Sequence, residues 1–371
     1  MASVKKIQRK NDGNKQVFSY EVRYRDPNKR DRSKRFRTLK EAEKFAQSVE
    51  TDIARGEFLD PRLGKKPFGD FAADWLASRE DDVKPTTFIG YEGLLNRHIL
   101  PVLGDMPIAR IRPLDVQRLL GTMRKKSLSR SRLRQAKVLL SMIMNSAIDN
   151  GYIARNPVPR EKLGGMEPRR DQHPLTFEEV HAVAAEVPDR YQALVYVLAY
   201  GGLRWGEAAA LRRGRCNLLR NRIEVKESVS EVNSGLVYGL PKTHQQRTVV
   251  IPEPVKEILA QHLAEYVPRA SDSLVFTTEV GGHVWIGNFR RDVWWPALEA
   301  AGISDEVTIK DLRHTCASLM HAAGRSPKEV KEQLGHSTIA MTLDTYTHLF
   351  DEGRDEAAEA MAEQFTRSLK V

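Results

Sequence analysis

The sequence predicts a multidomain α+β chain. It has a small N-terminal β-sheet plus helix module over residues 1–60, an all-α domain over 66–155, and a mainly α domain with a small antiparallel sheet over 173–371. Three observations predict this division. Period-2 alternation appears early, over residues 18–24, whereas helical periodicity dominates most of the remaining chain. Two stretches rich in Pro, Gly and basic residues, 61–67 and 156–174, interrupt the periodic pattern. A length of 371 residues exceeds one ordinary domain and suffices for several separate cores.

In the first module Phe18, Tyr20, Val22 and Tyr24 alternate with Ser19, Glu21 and Arg23, the period of a strand with one buried face. Asp26-Pro27-Asn28-Lys29 reads as a turn, and a second strand comes next over 33–37. Thr38 and Glu41 form a capping box opening a helix whose apolar stripe is Ala42, Phe45, Ala46, Val49 and Ile53, with Gly56 as its stop. The strands and turn carry Arg23, Arg25, Lys29, Arg30, Arg32, Lys34, Arg35 and Arg37. Such a narrow basic sheet either enters a DNA groove or stands as a solvated hairpin, and the residues alone weigh the two equally.

After the first linker, Phe68, Phe71, Ala72, Trp75 and Leu76 open a new helical pattern. A long helix is predicted over 129–150, with Gly151 ending it. Arg130, Arg132, Arg134 and Lys137 crowd its first half, a phosphate-facing surface if the domain meets nucleic acid. His98, beside Ile99 and Leu100, has no second metal-type residue spaced to join it and reads as a packed or partly exposed side chain rather than a ligand.

Past the second linker Thr176 and Glu179 form another capping box, and the chain is mostly helical except for short strands within 222–251. Lys242 falls on the loop side of the last hairpin. The tail from 355 to 371 spaces Ala358, Met361, Ala362, Phe365 and Leu369 as one helical stripe.

A net charge of +10 places surplus cations on the surface, and a polyanionic partner is the simplest reading, since basic surfaces bind nucleic acid by counterion release. The two cysteines, Cys216 and Cys316, lie far apart without metal-ligand spacing, which argues for a reducing compartment and against a disulfide framework or zinc site. No apolar run reaches membrane-spanning length, so a cytoplasmic, nucleoid-associated protein is expected, with no membrane contact. No acidic cluster suited to two metal ions and no phosphate-binding P-loop accompanies the motifs; the expected cofactors and metals are none.

Four motifs carry chemistry: Gly201-Gly202-Leu203-Arg204-Trp205-Gly206-Glu207, Pro241-Lys242-Thr243, Lys310-Asp311-Leu312-Arg313-His314, and the stretch from Leu334-Gly335-His336 to Tyr346. Together they supply cations, proton donors and one nucleophile for a single phosphate. Arg204 and Arg313 come from separate elements, and two planar forks can clamp one phosphate bidentately. Glu207, three residues after Arg204, falls on the same helical face and orients it.

The order Arg204, Lys242, Arg313, His336, Tyr346 resembles the tyrosine recombinase family, in particular phage-type integrases. The similarity covers most of the chain. It implies a site-specific recombinase that cleaves and rejoins DNA through a covalent 3′-phosphotyrosyl intermediate, with Tyr346 as nucleophile, Lys242 as general acid and His336 on the scissile phosphate. It also implies an arm-type DNA-binding module at 1–60, a core-type DNA-binding domain at 66–155 and catalysis within 173–371. Its partners would be double-stranded attachment sites held by a homotetramer, with a host DNA-bending protein and a directionality factor as potential accessories. The tail would pack on a neighbouring protomer.

One position departs from the family. Where a histidine most often stands three residues before the second arginine, this chain has Lys310. A lysine donates to phosphate oxygens but accepts protons poorly near neutrality, so a base role would pass to His314 or to a Lys310 of depressed pKa. Two alternatives share these residues: a type IB topoisomerase-like relaxer, and a DNA-binding regulator that keeps the scaffold without the catalysis.

Overall fold

The computed structural model describes residues 2–10, 16–27, 29–55, 60, 62–161, 163–164, 173–232, 235–241, 246–340, 342–343, 361–362 and 365–366. By internal packing the chain falls into two units, Met1–Pro168 and Arg169–Val371.

In the first unit β1 (Ser3–Lys10), β2 (Gln16–Arg25) and β3 (Asp31–Phe36) form an antiparallel sheet in that order, with Val4 opposite Val22 and Tyr20 opposite Phe36. The alternation of β2 buries Val22 and Tyr24 against Ala42, Ala46 and Val49 of α1 (Leu39–Ala54). Thr38 Oγ1 accepts the Glu41 N–H at 3.3 Å, one half of the capping box expected there, and among the described residues Glu41 makes no return bond to the Thr38 N–H. Gly56, the expected stop, lies outside the described residues. Strand β1 is not announced by the sequence. Its cations do not alternate with apolar residues, and only pairing with β2 makes it a strand.

A second core in this unit is helical. α2 (Phe68–Ala77), α3 (Pro85–Leu94), a π-turn at Leu95–Ile99, α4 (Leu100–Leu103), α5 (Pro113–Lys125) and α6 (Arg130–Asp149) bury Phe68, Trp75, Ile99, Leu119, Leu139 and Leu140 together. α6 matches its prediction closely: Ser129 Oγ accepts the Arg132 N–H at 3.3 Å, and Gly151 follows its end at φ 72°. His98 is half-buried on the π-turn, and burial pushes its pKa down. Part of the expected linker 61–67 is packed rather than spanning: Leu63–Lys65 form a 3-10 turn, and Pro67 bridges to Pro107.

The second unit opens with α7 (Phe177–Glu186), where Thr176 and Glu179 exchange both capping-box bonds at 3.2 and 2.8 Å. α8 (Asp189–Gly201) and α9 (Trp205–Ala209) follow, then β4 (Cys216–Asn217), β5 (Arg222–Val225), β6 (Ser228–Val232), β7 (Gly235–Gly239) and β8 (Arg247–Val250). α10 (Glu253–Tyr266), α11 (Ile286–Phe289), α12 (Trp295–Ala300), α13 (Asp311–Ala322) and α14 (Pro327–Leu334) complete it. Val195, Leu198, Ile223, Val249, Leu259, Trp294 and Leu312 share its core.

The strands correct one expectation. β7 and β8 are not a hairpin: β7 pairs with β6 in a two-stranded ribbon, while β8 joins β5 and β4 in a separate three-stranded sheet. The pairing follows side-chain phase, since Ile223 and Val249 face each other across β5 and β8 and both reach the core. No helix among the described residues is long and apolar enough to cross a membrane.

Candidate active site

Arg204 owes its place to a helix end. α8 stops at Gly202, which takes the left-handed conformation at φ 64° and returns its N–H to Leu198 O at 3.2 Å. Two residues later Arg204 is the N-cap of α9, and Glu207 reaches back to accept its backbone N–H at 2.9 Å. The same carboxylate accepts Arg204 Nη1 at 2.9 Å.

Glu207 is not the exposed helix-start acid its position allows; it is 2% exposed. It also receives Arg247 Nη1 at 3.0 Å and Nη2 at 2.7 Å, a bidentate pair from β8. Burial alone would raise the Glu207 pKa. The hydrogen bonds and charge of Arg247, with those of Arg204, outweigh it and hold the group at about 2. One buried anion therefore sets two guanidiniums side by side.

Arg313, on the first turn of α13, is also buried. Its Nη1 donates to Gly202 O and its Nη2 to Leu334 O, so one guanidinium closes the C-terminal ends of α8 and α14. Cations are favoured at such ends, which accounts for a buried arginine there. The expected phosphate clamp is thus partly engaged with backbone. Asp311 Oδ2 accepts the Thr308 N–H at 2.7 Å and fixes the start of the helix. Lys310, at the N-cap, is exposed. His314 is buried beside it; burial first, then the charge of Lys310, push its pKa down to about 4.

His336 follows the second glycine-ended helix. Gly335 takes φ 66°, its N–H bonds Glu332 O at 3.2 Å, and the His336 N–H bonds Lys331 O at 3.1 Å, a Schellman pair. Gln333 ties α14 to β8, accepting the Val250 N–H at 3.1 Å and donating to Val250 O at 2.8 Å. Arg247 Nε adds a bond to Gln333 O at 3.1 Å. The imidazole of His336 is half-buried, and its pKa falls to about 4 through burial and then through Arg313, Arg204 and Arg247. Three guanidiniums on three elements therefore act on one ring.

Lys242, in the stretch joining β7 to β8, and Tyr346 both lie outside the described residues. The remaining expected residues, Arg204, Glu207, Arg313, His314 and His336, lie together, with Lys310 at the edge. Arg247 was missed. Its signal is parity: on β8 it shares a face with buried Val249, an unusual phase for a cation.

Of the expected DNA-binding cations, Arg23, Arg25, Lys34, Arg35, Arg132 and Arg134 are exposed and Arg130 and Lys137 half-buried, and several are paired. Arg23 lies 2.9 Å and Arg35 3.5 Å from the buried Glu21, Arg25 lies 2.9 Å from Asp31, and Lys34 Nζ sits 4.5 Å from the Phe45 ring centroid. On α6, Arg132 Nη1 bonds Gln135 at 3.2 Å and Lys137 Nζ bonds Glu161 O, while Arg130 stands near the N-terminus of the helix. Arg134 and Lys137, with Arg155 and Arg160, line a cleft of about 1020 Å³. Burial pushes both thiols, Cys216 and Cys316, up to about 12, so neither is poised to react.

Residues 174–352 match the family described as Phage integrase family, and residues 67–123 match Phage integrase, N-terminal SAM-like domain. The chain is 29% identical over 356 residues to the putative prophage phiRv2 integrase of Mycobacterium tuberculosis, covering 91% of this chain and 90% of that one. It is 30% identical over 299 residues to the integrase of Mycobacterium phage L5, covering 79% and 78%. Among solved structures, the Tn1549 transposon integrase in complex with a circular intermediate DNA has a similar fold. The TM-score is 0.68 at 22% identity, over 79% of this chain and 99% of that one.

Proposed function

We propose how this chain, which belongs to the phage integrase family and is a site-specific tyrosine recombinase, breaks and rejoins DNA. The Tyr346 hydroxyl oxygen attacks the scissile phosphorus. A P–O bond to tyrosine forms on the 3′ side, the P–O5′ bond breaks, and Lys242 Nζ gives its proton to the departing 5′ oxygen. Arg204, Arg313 and the Nε2–H of His336 take the non-bridging oxygens, and Lys310 adds charge from the start of α13. The phenol proton leaves to a base, a role for which His314, kept neutral by its buried setting, is the candidate. Attack by a 5′ hydroxyl on the phosphotyrosine reverses each step, so the energy of the broken bond is conserved.

The convergence of Arg204, Arg247 and Arg313 on the His336 ring carries this reading. Glu207 balances only part of this cluster of cations, and the charge of a phosphodiester suits what remains. In the wider assignment, residues 1–60 bind arm-type sites, 66–155 bind core-type sites and 173–371 catalyse. Four copies synapse two sites in the host cytoplasm, with a DNA-bending protein and a directionality factor as accessories. The tail joins neighbouring copies, a role supported by its exposed Met361 and Phe365.

Covalent trapping tests the reaction. The protein is incubated with nicked duplexes tiled across the junctions flanking its gene and run on a denaturing gel beside Tyr346→Phe. An adduct that is absent in the variant is the expected result. Tight binding of one duplex with no adduct, where a control recombinase forms one on its own site, would overturn the assignment of Tyr346.

A further inference from the structure

His336 Nδ1 lies 2.9 Å from Thr342 Oγ1, and Thr342 is 0% exposed. No other partner of that hydroxyl is present among the described residues. We propose that Thr342 is a positioning residue: its hydroxyl donates to Nδ1 and holds His336 with its proton on Nε2, the nitrogen left to donate to the scissile phosphate. The proposal rests on the reading that His336 contacts that phosphate.

The direction of the bond comes from counting protons. Burial and the surrounding guanidiniums keep the imidazole neutral at physiological pH, so it carries one N–H. If Nδ1–H donated to Thr342, the hydroxyl proton would be buried with no acceptor among the described residues, at about 1–3 kcal/mol. Nε2 would then be a bare lone pair facing an anion. If Thr342 donates instead, its proton is satisfied and Nε2–H is available to the phosphate oxygen. A β-branched side chain suits the task, because its restricted χ1 holds the hydroxyl in one direction. The residue lies six positions beyond His336, so the pair pins the ring to the segment that leads on to Tyr346.

The test compares Thr342→Val, Thr342→Ser, His336→Ala and the double variant Thr342→Val/His336→Ala, all in the full chain. The readouts are single-turnover adduct formation and binding on the trapped nicked duplex. Thr342→Val is expected to slow adduct formation by about tenfold or more with binding unchanged, since a misoriented group forfeits its effective concentration. Thr342→Ser is expected to restore the rate, and in the His336→Ala background Thr342→Val is expected to add nothing. An equal loss in both backgrounds would mark Thr342 as merely structural and overturn the proposal, as would a wild-type rate for Thr342→Val while His336→Ala is impaired. A wild-type rate for His336→Ala would instead sink the reading of His336 itself and the proposal with it. Ring-nitrogen NMR of histidine-labelled wild-type protein decides the case without any variant. An Nε2–H tautomer at His336 supports the proposal, and an Nδ1–H tautomer overturns it.

Discussion

Glu207 accepts four hydrogen bonds from two arginines, and that is why a carboxylate survives at 2% exposure. Its charge, like the neutrality of His314 and His336, ties stability to pH. Each histidine falls from an ordinary 6.5 to about 4 in the fold, and Glu207 from 4.5 to about 2. Above pH 6.5 the histidines are neutral whether the chain is folded or not, and they contribute no slope. Between 6.5 and 4 the unfolded chain binds protons that the fold refuses, so stability drops as pH falls. Glu207 extends the loss below 4.5 for the same reason. His314, the more buried histidine, contributes up to about 1.4 kcal/mol per pH unit in its window. Urea midpoints are therefore expected to fall steadily from pH 6.5 to 4.5 in wild type and less steeply in His314→Gln. An identical slope in the two proteins would contradict the buried neutral imidazole.

Two elements deliver the site, and they do so by the same device. α8 and α14 each end on a glycine in the left-handed conformation, and Arg204 and His336 emerge just beyond. Arg313 bonds a carbonyl at each of those ends, so the two helix termini and the clamp form one unit. At Gly335 an added Cβ would meet Arg247 Cδ at 2.6 Å as well as the strain of φ 66°. Gly335→Ala is expected to cost about 1–3 kcal/mol in stability and to displace Arg247 and His336 together. Adduct formation should fall well beyond what the unfolded fraction explains, while binding of the duplex persists. A variant equally fast at matched folded fraction would show that the αL cap does not set the position of His336.

At the scale of the whole molecule the charge of +10 is distributed unevenly. Many cations of the N-terminal sheet are tied to Glu21, Asp26 and Asp31, so they shape the sheet as much as they charge it. The cleft on α6 gathers Arg134, Lys137, Arg155 and Arg160 with one acid, Glu161, among the described residues that line it. If those side chains meet DNA phosphates, each removal lowers the slope of log K against log salt by about 0.9. Arg134→Ala/Arg155→Ala is expected to bind the duplex more weakly and with a shallower salt dependence. An unchanged slope would take this cleft off the DNA path.

Features dictated by local chemistry were legible in the sequence. Capping residues at Thr38 and Thr176, the glycine after α6 and the period-2 run of β2 are read within a few neighbours, and the structure carries each of them. The motifs around Arg204, Arg313 and His336 were legible in the same way, because each sits beside a helix end that its own segment specifies. The strand partners of β7 and β8 and the existence of β1 were settled by tertiary packing, since pairing joins distant segments. So was the burial of Glu207. Its partner Arg247 is 40 residues away, and the carbonyl that Arg313 meets at Gly202 is 111 residues away. Periodicity reports which face of an element is apolar. Which charges meet across that face depends on long-range packing, where a buried ion is stable only once its partners arrive.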